Sequence, residues 1–354
     1  MQAGSYHSLL VDVNGNFWSF GQNDFAQLGT DPTTFSLVNK PVINKEVDNV
    51  KVLYSTETQS IVRTHQDEFY ICGKCPIFEE QTCRLKLLEF SGFQMDFVAC
   101  TDFELMATDI EGNVWASGVN CNFGQLGLGG GKRFVTIPQK IENLKNIEHI
   151  ALGDSHSVFL QNTGQVWTCG FNGYGQLGLS DNVNRNIPEL VENLPNIQLV
   201  SCGANHTLLL DYKGKVYSFG CNGTCELGHG DLVNRNTPTV IEKLPVIKFI
   251  NCSKSCSYFI DLAGKVWSCG MNFDTHINPP LEPWTISRLP EIIFISCSKS
   301  HSLLLDVNGE VWSRGDNYFG QLGRAGNPKV YHKIVGVPPV PIGDIHCVKS
   351  ARNF

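Results

Sequence analysis

No stretch of this chain approaches eighteen consecutive apolar residues, so none of it reads as a membrane-spanning helix. The opening residues, Met1-Gln2-Ala3-Gly4-Ser5-Tyr6-His7, have neither a basic n-region nor an apolar h-region, and no secretory leader is expected. Clustered basic charge is also missing. With 27 Lys and Arg against 34 Asp and Glu, the formal net charge is −7. Binding to phosphate backbones needs Lys and Arg gathered on one patch, so direct nucleic-acid binding is not expected. No membrane association is expected either. A sustained 3.6-residue apolar period, the mark of an amphipathic helix, is absent. No nucleophile, base and orienting group stand out as a set, which argues against a hydrolase or an oxidoreductase.

What is present is a repeat, and internal repeats decide architecture before anything else. The pattern Gly-x-Asn followed by Gln/Glu-Leu-Gly starts at Gly21, Gly118, Gly170, Gly220 and Gly315. Gly73 and Gly270 begin copies that lose the Gln-Leu-Gly. These seven glycines are 52, 45, 52, 50, 50 and 45 residues apart. A second element keeps the same spacing at the marker positions His7, Gln59, Glu104, His156, His206, Cys256 and His301. Between the two lies a third, Asp-x-x-Gly-x-Val/Phe-Trp/Tyr, as in Asp211, Gly214 and Tyr217 or Asp306, Gly309 and Trp312.

Each unit reads as a hairpin plus further strands. Thr207-Leu208-Leu209-Leu210 is a short apolar run of the kind that forms a buried strand. Asp-x-x-Gly is turn chemistry, with Asp bonding its own backbone and Gly taking a positive φ. Lys215-Val216-Tyr217-Ser218-Phe219 is the return strand. Short strands at even spacing with one aromatic motif per unit predict an all-β, seven-bladed β-propeller. The expected organisation is one propeller over residues 1–354, with degenerate blades near 51–100 and 247–295. Residues 345–350 align with 295–300, so the C-terminal segment is expected to pair with the N-terminal one and close the ring, leaving no free sheet edge. A ring without free edges is expected to be monomeric. Membership in a longer multidomain protein is equally compatible with the repeat.

Taken together, Gly-x-x-His-Ser/Thr, Asp-x-x-Gly-x-Val-Trp-Ser-x-Gly and Gly-x-Asn-x-x-Gly-Gln-Leu-Gly resemble the regulator of chromosome condensation repeat. The resemblance covers essentially the whole chain. Kelch blades carry a double Gly, seen here only within Gly129-Gly130-Gly131, and WD-repeat blades carry a Trp-Asp that is not found. The family's ultraviolet-sensing branch has Gly-Trp-Arg-His-Thr in the marker segment, where this chain has Gly153-Asp154-Ser155-His156 or Gly203-Ala204-Asn205-His206.

The 14 cysteines mostly occupy repeat slots. Cys100, Cys202, Cys252, Cys297 and Cys347 stand four residues before a marker, and Cys72, Cys169 and Cys269 just before a blade Gly. Free Cys behaves there as a small hydrophobe, and reduced thiols point to an intracellular setting, cytoplasmic or nuclear. Cys72 and Cys75, with Cys83 beyond, form a lone Cys-x-x-Cys that lacks a second pair, so no metal is expected. His7, His156, His206 and His301 share one slot with Gln59, Glu104 and Cys256, so a backbone hydrogen bond within the blade is expected rather than metal ligation. Gly173-Tyr174-Gly175-Gln176-Leu177-Gly178 matches a dinucleotide fingerprint only formally, because no strand-turn-helix surrounds it. No cofactor is expected. Trp18, Trp115, Trp167, Trp267 and Trp312 are expected in the core.

The functional expectation is a regulatory propeller whose loops bind a protein partner. The alternative, implied by the resemblance, is a guanine-nucleotide exchange factor for Ran or another small GTPase. It would insert acidic loop residues of one propeller face at the nucleotide site. Asp154 lies in a segment resembling the family's acidic exchange face, and Asp102 occupies the matching slot one blade earlier. Two carboxylates on one rim could compete for the Mg²⁺ or the P-loop Lys of a GTPase. Two departures stand against this: no wedge-sized insertion follows Asp154, and the basic N-terminal tail of the chromatin-bound member is missing. The segment Gly129-Gly130-Gly131-Lys132-Arg133-Phe134 is the most distinctive rim loop, and Lys132, Arg133 and Phe134 are candidate partner contacts, pairing cations with an aromatic anchor.

Overall fold

The computed structural model describes residues 1–33, 36–75, 82–90, 92–130, 133–271 and 280–341. Among them there is no helix, and every sheet has four antiparallel strands. The first blade is β1 (Gln2–Ala3), β2 (His7–Val11), β3 (Phe17–Gln22) and β4 (Leu37–Asn44). The second is β5 (Val50–Ser55), β6 (Gln59–Thr64), β7 (Phe69–Gly73) and β8 (Thr82–Leu87). The third is β9 (Met95–Cys100), β10 (Glu104–Asp109), β11 (Val114–Val119) and β12 (Phe134–Lys140). The fourth is β13 (Ile147–Leu152), β14 (His156–Gln161), β15 (Val166–Gly170) and β16 (Arg185–Leu190). The fifth is β17 (Ile197–Cys202), β18 (His206–Asp211), β19 (Val216–Gly220) and β20 (Arg235–Val240). The sixth is β21 (Ile247–Cys252), β22 (Cys256–Asp261), β23 (Val266–Gly270) and β24 (Trp284–Thr285). The seventh is β25 (Ile292–Cys297), β26 (His301–Asp306), β27 (Val311–Gly315) and β28 (His332–Lys333). The fold is a seven-bladed β-propeller. Both copies with degenerate sequence still build four-stranded blades.

The chain divides into two compact units, one holding blades one, two and seven, the other blades three to six. In the first unit the N-terminal blade packs on the last. Ala3 N donates to Ser296 Oγ at 2.9 Å, and Val13 N to the Pro339 carbonyl at 3.0 Å. The first strand of that blade is Gln2–Ala3, paired with Leu9 and Ser8. The segment 342–354, where the closing strand is expected, lies outside the described residues.

The register explains why two motifs recur in step. In every blade the marker residue sits opposite the blade Gly: His7 with Gly21, Gln59 with Gly73, Glu104 with Gly118, His156 with Gly170, His206 with Gly220, Cys256 with Gly270 and His301 with Gly315. At Gly170, with φ of 106°, a Cβ would lie 2.5 Å from the Ser155 carbonyl, so only glycine fits. The second strand of each blade is almost wholly buried, which is why it reads as a continuous apolar run. Between blades three and four the faces close on Met106, Leu126, Val135, Ile150, Phe159 and Cys169. Between blades four and five they close on Val158, Val166, Val200, Leu209 and Phe219. The residue before the blade Gly, Cys169 or Phe219, is therefore an inter-blade filler.

The return-strand tryptophans are only half-buried, unlike the expected core aromatics. Four of the five indole N–H groups instead donate to the turn aspartate of their own hairpin: Trp18 to Asp12, Trp115 to Asp109, Trp267 to Asp261 and Trp312 to Asp306, at 2.9–3.0 Å. The same aspartate accepts backbone N–H groups of the turn, as Asp306 does from Asn308 and Glu310. One carboxylate thus fixes both the turn and the aromatic. Trp167 has Gln161 in the aspartate position.

The marker histidines also differ from expectation: their ring nitrogen bonds a side chain of the next blade, not the backbone of their own. His7 Nε2 meets Ser60 Oγ at 2.8 Å, His156 meets Thr207 Oγ1 at 3.1 Å, His206 meets Ser257 Oγ at 3.1 Å and His301 meets Ser8 Oγ at 2.6 Å. Each hydroxyl in turn donates to the carbonyl of the Gln/Glu-Leu-Gly element in the histidine's blade: Ser60 to Gln27, Thr207 to Gln176, Ser257 to Glu226 and Ser8 to Gln321, at 2.6–2.9 Å. A hydroxyl has one proton. Because it goes to the carbonyl, the imidazole must be the neutral tautomer donating from Nε2. The Gly of Gly-x-x-His lets the ring lie flat against the backbone: a Cβ on Gly203 would be 2.0 Å from His206 Cε1.

Burial holds these imidazoles neutral, lowering His7, His156 and His301 to about 3 and His206 to about 4. The folded value lies below that of the unfolded chain, so the unfolded state takes up the proton first. Their stabilisation is complete above pH 6.5 and declines as pH falls toward 4. Urea unfolding between about pH 6.5 and 4.5 should show a loss of about 1.4 kcal/mol per pH unit for each such histidine, partly removed by His206→Gln. Thr207→Val keeps the shape but strands the His156 N–H and the Gln176 carbonyl. It should cost about 2–4 kcal/mol in the same assay, and Thr207→Ser less than about 1 kcal/mol.

Candidate functional site

The turn before each marker and the loop after each blade Gly lie at the same end of the blade and are tied together. The N–H after the blade Gly donates to the carbonyl just before the marker: Val119 to Phe103 at 2.7 Å, Phe171 to Ser155 at 2.8 Å, Cys221 to Asn205 at 2.8 Å and Asp316 to Ser300 at 2.8 Å. The Asn of Gly-x-Asn then folds the loop. Asn172 Oδ1 accepts from Leu177 N, and its Nδ2 donates to the Asp181 carbonyl. Gln176 Oε1 accepts from Tyr174 N, and Gln321 Oε1 from Phe319 N. The twin loops 180–186 and 230–236 are pinned by Arg185 on Asp181 at 2.7 Å and Arg235 on Asp231 at 2.8 Å. Hydrogen bonds from those arginines hold both aspartates below the usual carboxylate range.

In the second unit this rim carries Asp102 and Asp154 in matching turns of blades three and four. Asp102 is half-buried and Asp154 exposed, with Asp154 N bonded to the Ala204 carbonyl at 3.1 Å. Beneath them Glu104 takes the marker slot, 1% exposed. Burial pushes its carboxyl up to about 8; a Gln125 hydrogen bond opposes this and the Asp154 charge adds to it. Phe103, beside Asp102, is 62% exposed. Arg133 and Phe134 lie at the same end of blade three: Asn120 N bonds the Arg133 carbonyl at 2.8 Å, and Phe134 pairs with Val119. Both side chains are exposed. Lys132 lies outside the described residues.

The rim also bears aromatic rings that the sequence reading missed. Phe123 and Phe171 stand 4.8 Å apart, with Tyr174 at 5.8 Å from Phe171. In the first unit Tyr6 packs on Phe319 at 5.2 Å beside Tyr318, which is 80% exposed, and Lys299 sits over the Tyr6 ring while pairing with Glu57. A signal was available: an aromatic stands two residues before the Gln at Phe25, Phe123, Tyr174 and Phe319, with Thr224 in the fifth copy.

No grouping of three or more His, Cys, Asp or Glu suited to a metal occurs among the described residues. Cys72 and Cys75 are both buried, and the side chain of Cys83 lies outside the description. Burial raises the Cys72 thiol to about 12. Gly173–Gly178 lies in the loop between antiparallel β15 and β16.

The regulator of chromosome condensation (RCC1) repeat matches residues 111–160, 163–210 and 213–260, and a second form of the same repeat matches 147–176, 197–225 and 292–321. This chain belongs to that repeat family. Among its relatives, the ultraviolet-B receptor UVR8 of Arabidopsis thaliana is 31% identical over 191 residues, 51% of this chain and 43% of the receptor. Protein RCC2 of Homo sapiens is 31% identical over 205 residues, 49% of this chain and 39% of that protein. The matched region thus spans less than half the length of these family members. Among solved structures, Prp20p of Saccharomyces cerevisiae superposes with a TM-score of 0.74 at 23% identity, covering 84% of this chain and 79% of that one. Human WBSCR16 gives 0.76 at 20% identity, covering 86% of each. At such identities these two structures speak for the shared fold.

Arg133 and Phe134 have exposed side chains, so Arg133→Ala and Phe134→Ala should each leave the urea midpoint within about 0.5 kcal/mol of the parent, as read by tryptophan fluorescence.

Proposed function

We propose that this RCC1-repeat propeller is a regulatory binding module that docks a protein partner on the rim formed by the marker turns and Gly-x-Asn loops. The observation that carries this reading is the combination of exposed rings, Phe103 above all, with loops pinned by buried hydrogen bonds. A preorganised aromatic on a rigid loop loses little freedom on binding, which is the usual character of an interface anchor. Arg133 and Phe134 extend that surface along the outer strand of blade three. Free thiols fit a reducing compartment, nuclear or cytoplasmic. Blades that are each a complete four-stranded sheet fit a monomer.

A second reading is nucleotide exchange on a small GTPase, favoured by the placement of Asp102 and Asp154 in matching turns of neighbouring blades. The related Prp20p was described together with its binding properties to Gsp1p and histones. Carboxylates presented to a GTPase would act on its Mg²⁺ or phosphate-binding Lys, loosening bound nucleotide.

Release of mant-GDP from a panel of small GTPases, Ran included, separates the two. Under exchange, one GTPase releases nucleotide faster, and Asp154→Ala slows that release more than tenfold, about 1.4 kcal/mol or more. With no acceleration across the panel, exchange is excluded. The docking reading is then tested by affinity capture with the parent and Phe103→Ala; equal recovery of every bound protein by both would remove Phe103 from the interface.

A further inference from the structure

One blade junction of the second unit lacks its histidine. Glu104 heads β10 in the marker slot, facing blade four. Ser157, in the hydroxyl slot of that blade, donates to the Gln125 carbonyl at 2.7 Å, and the Cys169 thiol points at the same carbonyl from 3.5 Å. The carboxyl of Glu104 is buried, bonded by the Gln125 side chain, and its Oε2 has no hydrogen-bond partner. At the histidine junctions the slot holds a neutral donor. A carboxylic acid can also offer one O–H, whereas a carboxylate only accepts. An ionised group enclosed there, with no cation among the groups that shift it, is strongly disfavoured.

The ionisable groups around it sharpen this preference. Asp154, on the turn between β13 and β14, adds negative charge from the rim. Cys169 on β15 is pushed well up, by burial first and by Glu104 second, and stays a neutral thiol. His156, at the head of β14, is turned to Thr207 across the following junction and is neutral. Gln125 and Ser157 carry no charge.

From this geometry we infer that Glu104 is a proton-controlled latch between blades three and four: the neutral acid keeps the junction closed, the carboxylate loosens it, and Asp154 on the rim biases the balance. The inference goes beyond the docking reading and does not depend on it. The folded value of Glu104 lies above that of the unfolded chain, so its contribution to stability falls as pH rises from 4.5 to about 8 and is level beyond. This is opposite in sign to the histidines.

The test compares the full chain with Glu104→Gln, a neutral side chain of similar shape, by urea unfolding from pH 5 to 9. Histidine and thiol contributions are common to both proteins and cancel in the ratio. The ratio of folding constants, parent over variant, should fall about tenfold per pH unit up to about pH 8 and then level off. Above pH 8, amides of Leu105–Thr108 and Val158–Leu160 should exchange faster in the parent than in the variant at the same pH, while those of Leu208–Leu210 stay alike. Asp154→Asn should move the break to lower pH; an unmoved break would exclude Asp154. Parallel stability curves, or equal exchange at the junction, overturn the latch. Should Glu104→Gln not fold, Glu104→His supplies the donor used at the other junctions and serves as the reference from about pH 6.5 to 9, where a buried neutral imidazole contributes evenly.

Discussion

A single buried hydroxyl at each of four blade junctions is the contact on which the rest depends. It belongs to one blade and plugs into a socket made by the preceding blade, an imidazole that donates and a carbonyl that accepts. Thr207 between His156 and the Gln176 carbonyl is the clearest case. The interaction is neutral and fully enclosed, so water cannot compete for it, and its loss would leave two polar groups stranded. It also couples distant parts of the repeat. The histidine starts the second strand, the carbonyl lies in the Gln-Leu-Gly loop, and the hydroxyl comes from the next fifty residues. Glycine three residues before His7, His156 and His206, and glycine opposite each, follow from the space the ring and its strand require.

The same contact governs what the rim can do. Gln125, Gln176 and Gln321 carry the socket carbonyls, and the side chains of Gln176 and Gln321 hold the loops bearing Tyr174 and Phe319. A rigid junction therefore means preorganised rings. Blade three departs from the pattern twice at neighbouring positions: Glu104 replaces the buried histidine, and Asp102-Phe103 presents a carboxylate and an exposed ring directly above it. Buried chemistry and surface chemistry are linked there through the Asp154 charge.

Much of this was legible in the residues. The spacing of Gly21 to Gly315 gave seven blades, and Asp-x-x-Gly gave the hairpins, because turn chemistry and strand length are local properties. Cys72, Cys169 and Cys269 read correctly as fillers, since the slot they share with Phe20 and Phe219 is fully buried. Asp102 and Asp154 could be placed in matching slots, and the structure puts both on one rim. The tryptophans were read too simply: their indole N–H needs an acceptor, and the turn aspartate six residues earlier supplies it. The rim aromatics were overlooked because Phe123 and Tyr174 look like ordinary loop residues until the loops are folded.

The sequence by itself determined the number of blades, the hairpin in each and the residues shared between them, all of which rest on spacing within about fifty residues. Only the tertiary structure decided what the histidines do. His7 and Ser60 are 53 positions apart and His301 and Ser8 are 293 apart, and no local pattern says that one donates to the other. The protonation of Glu104 was likewise hidden, because the energy of a charge depends on the solvent and dipoles around it, and these come from the blade that folds against it.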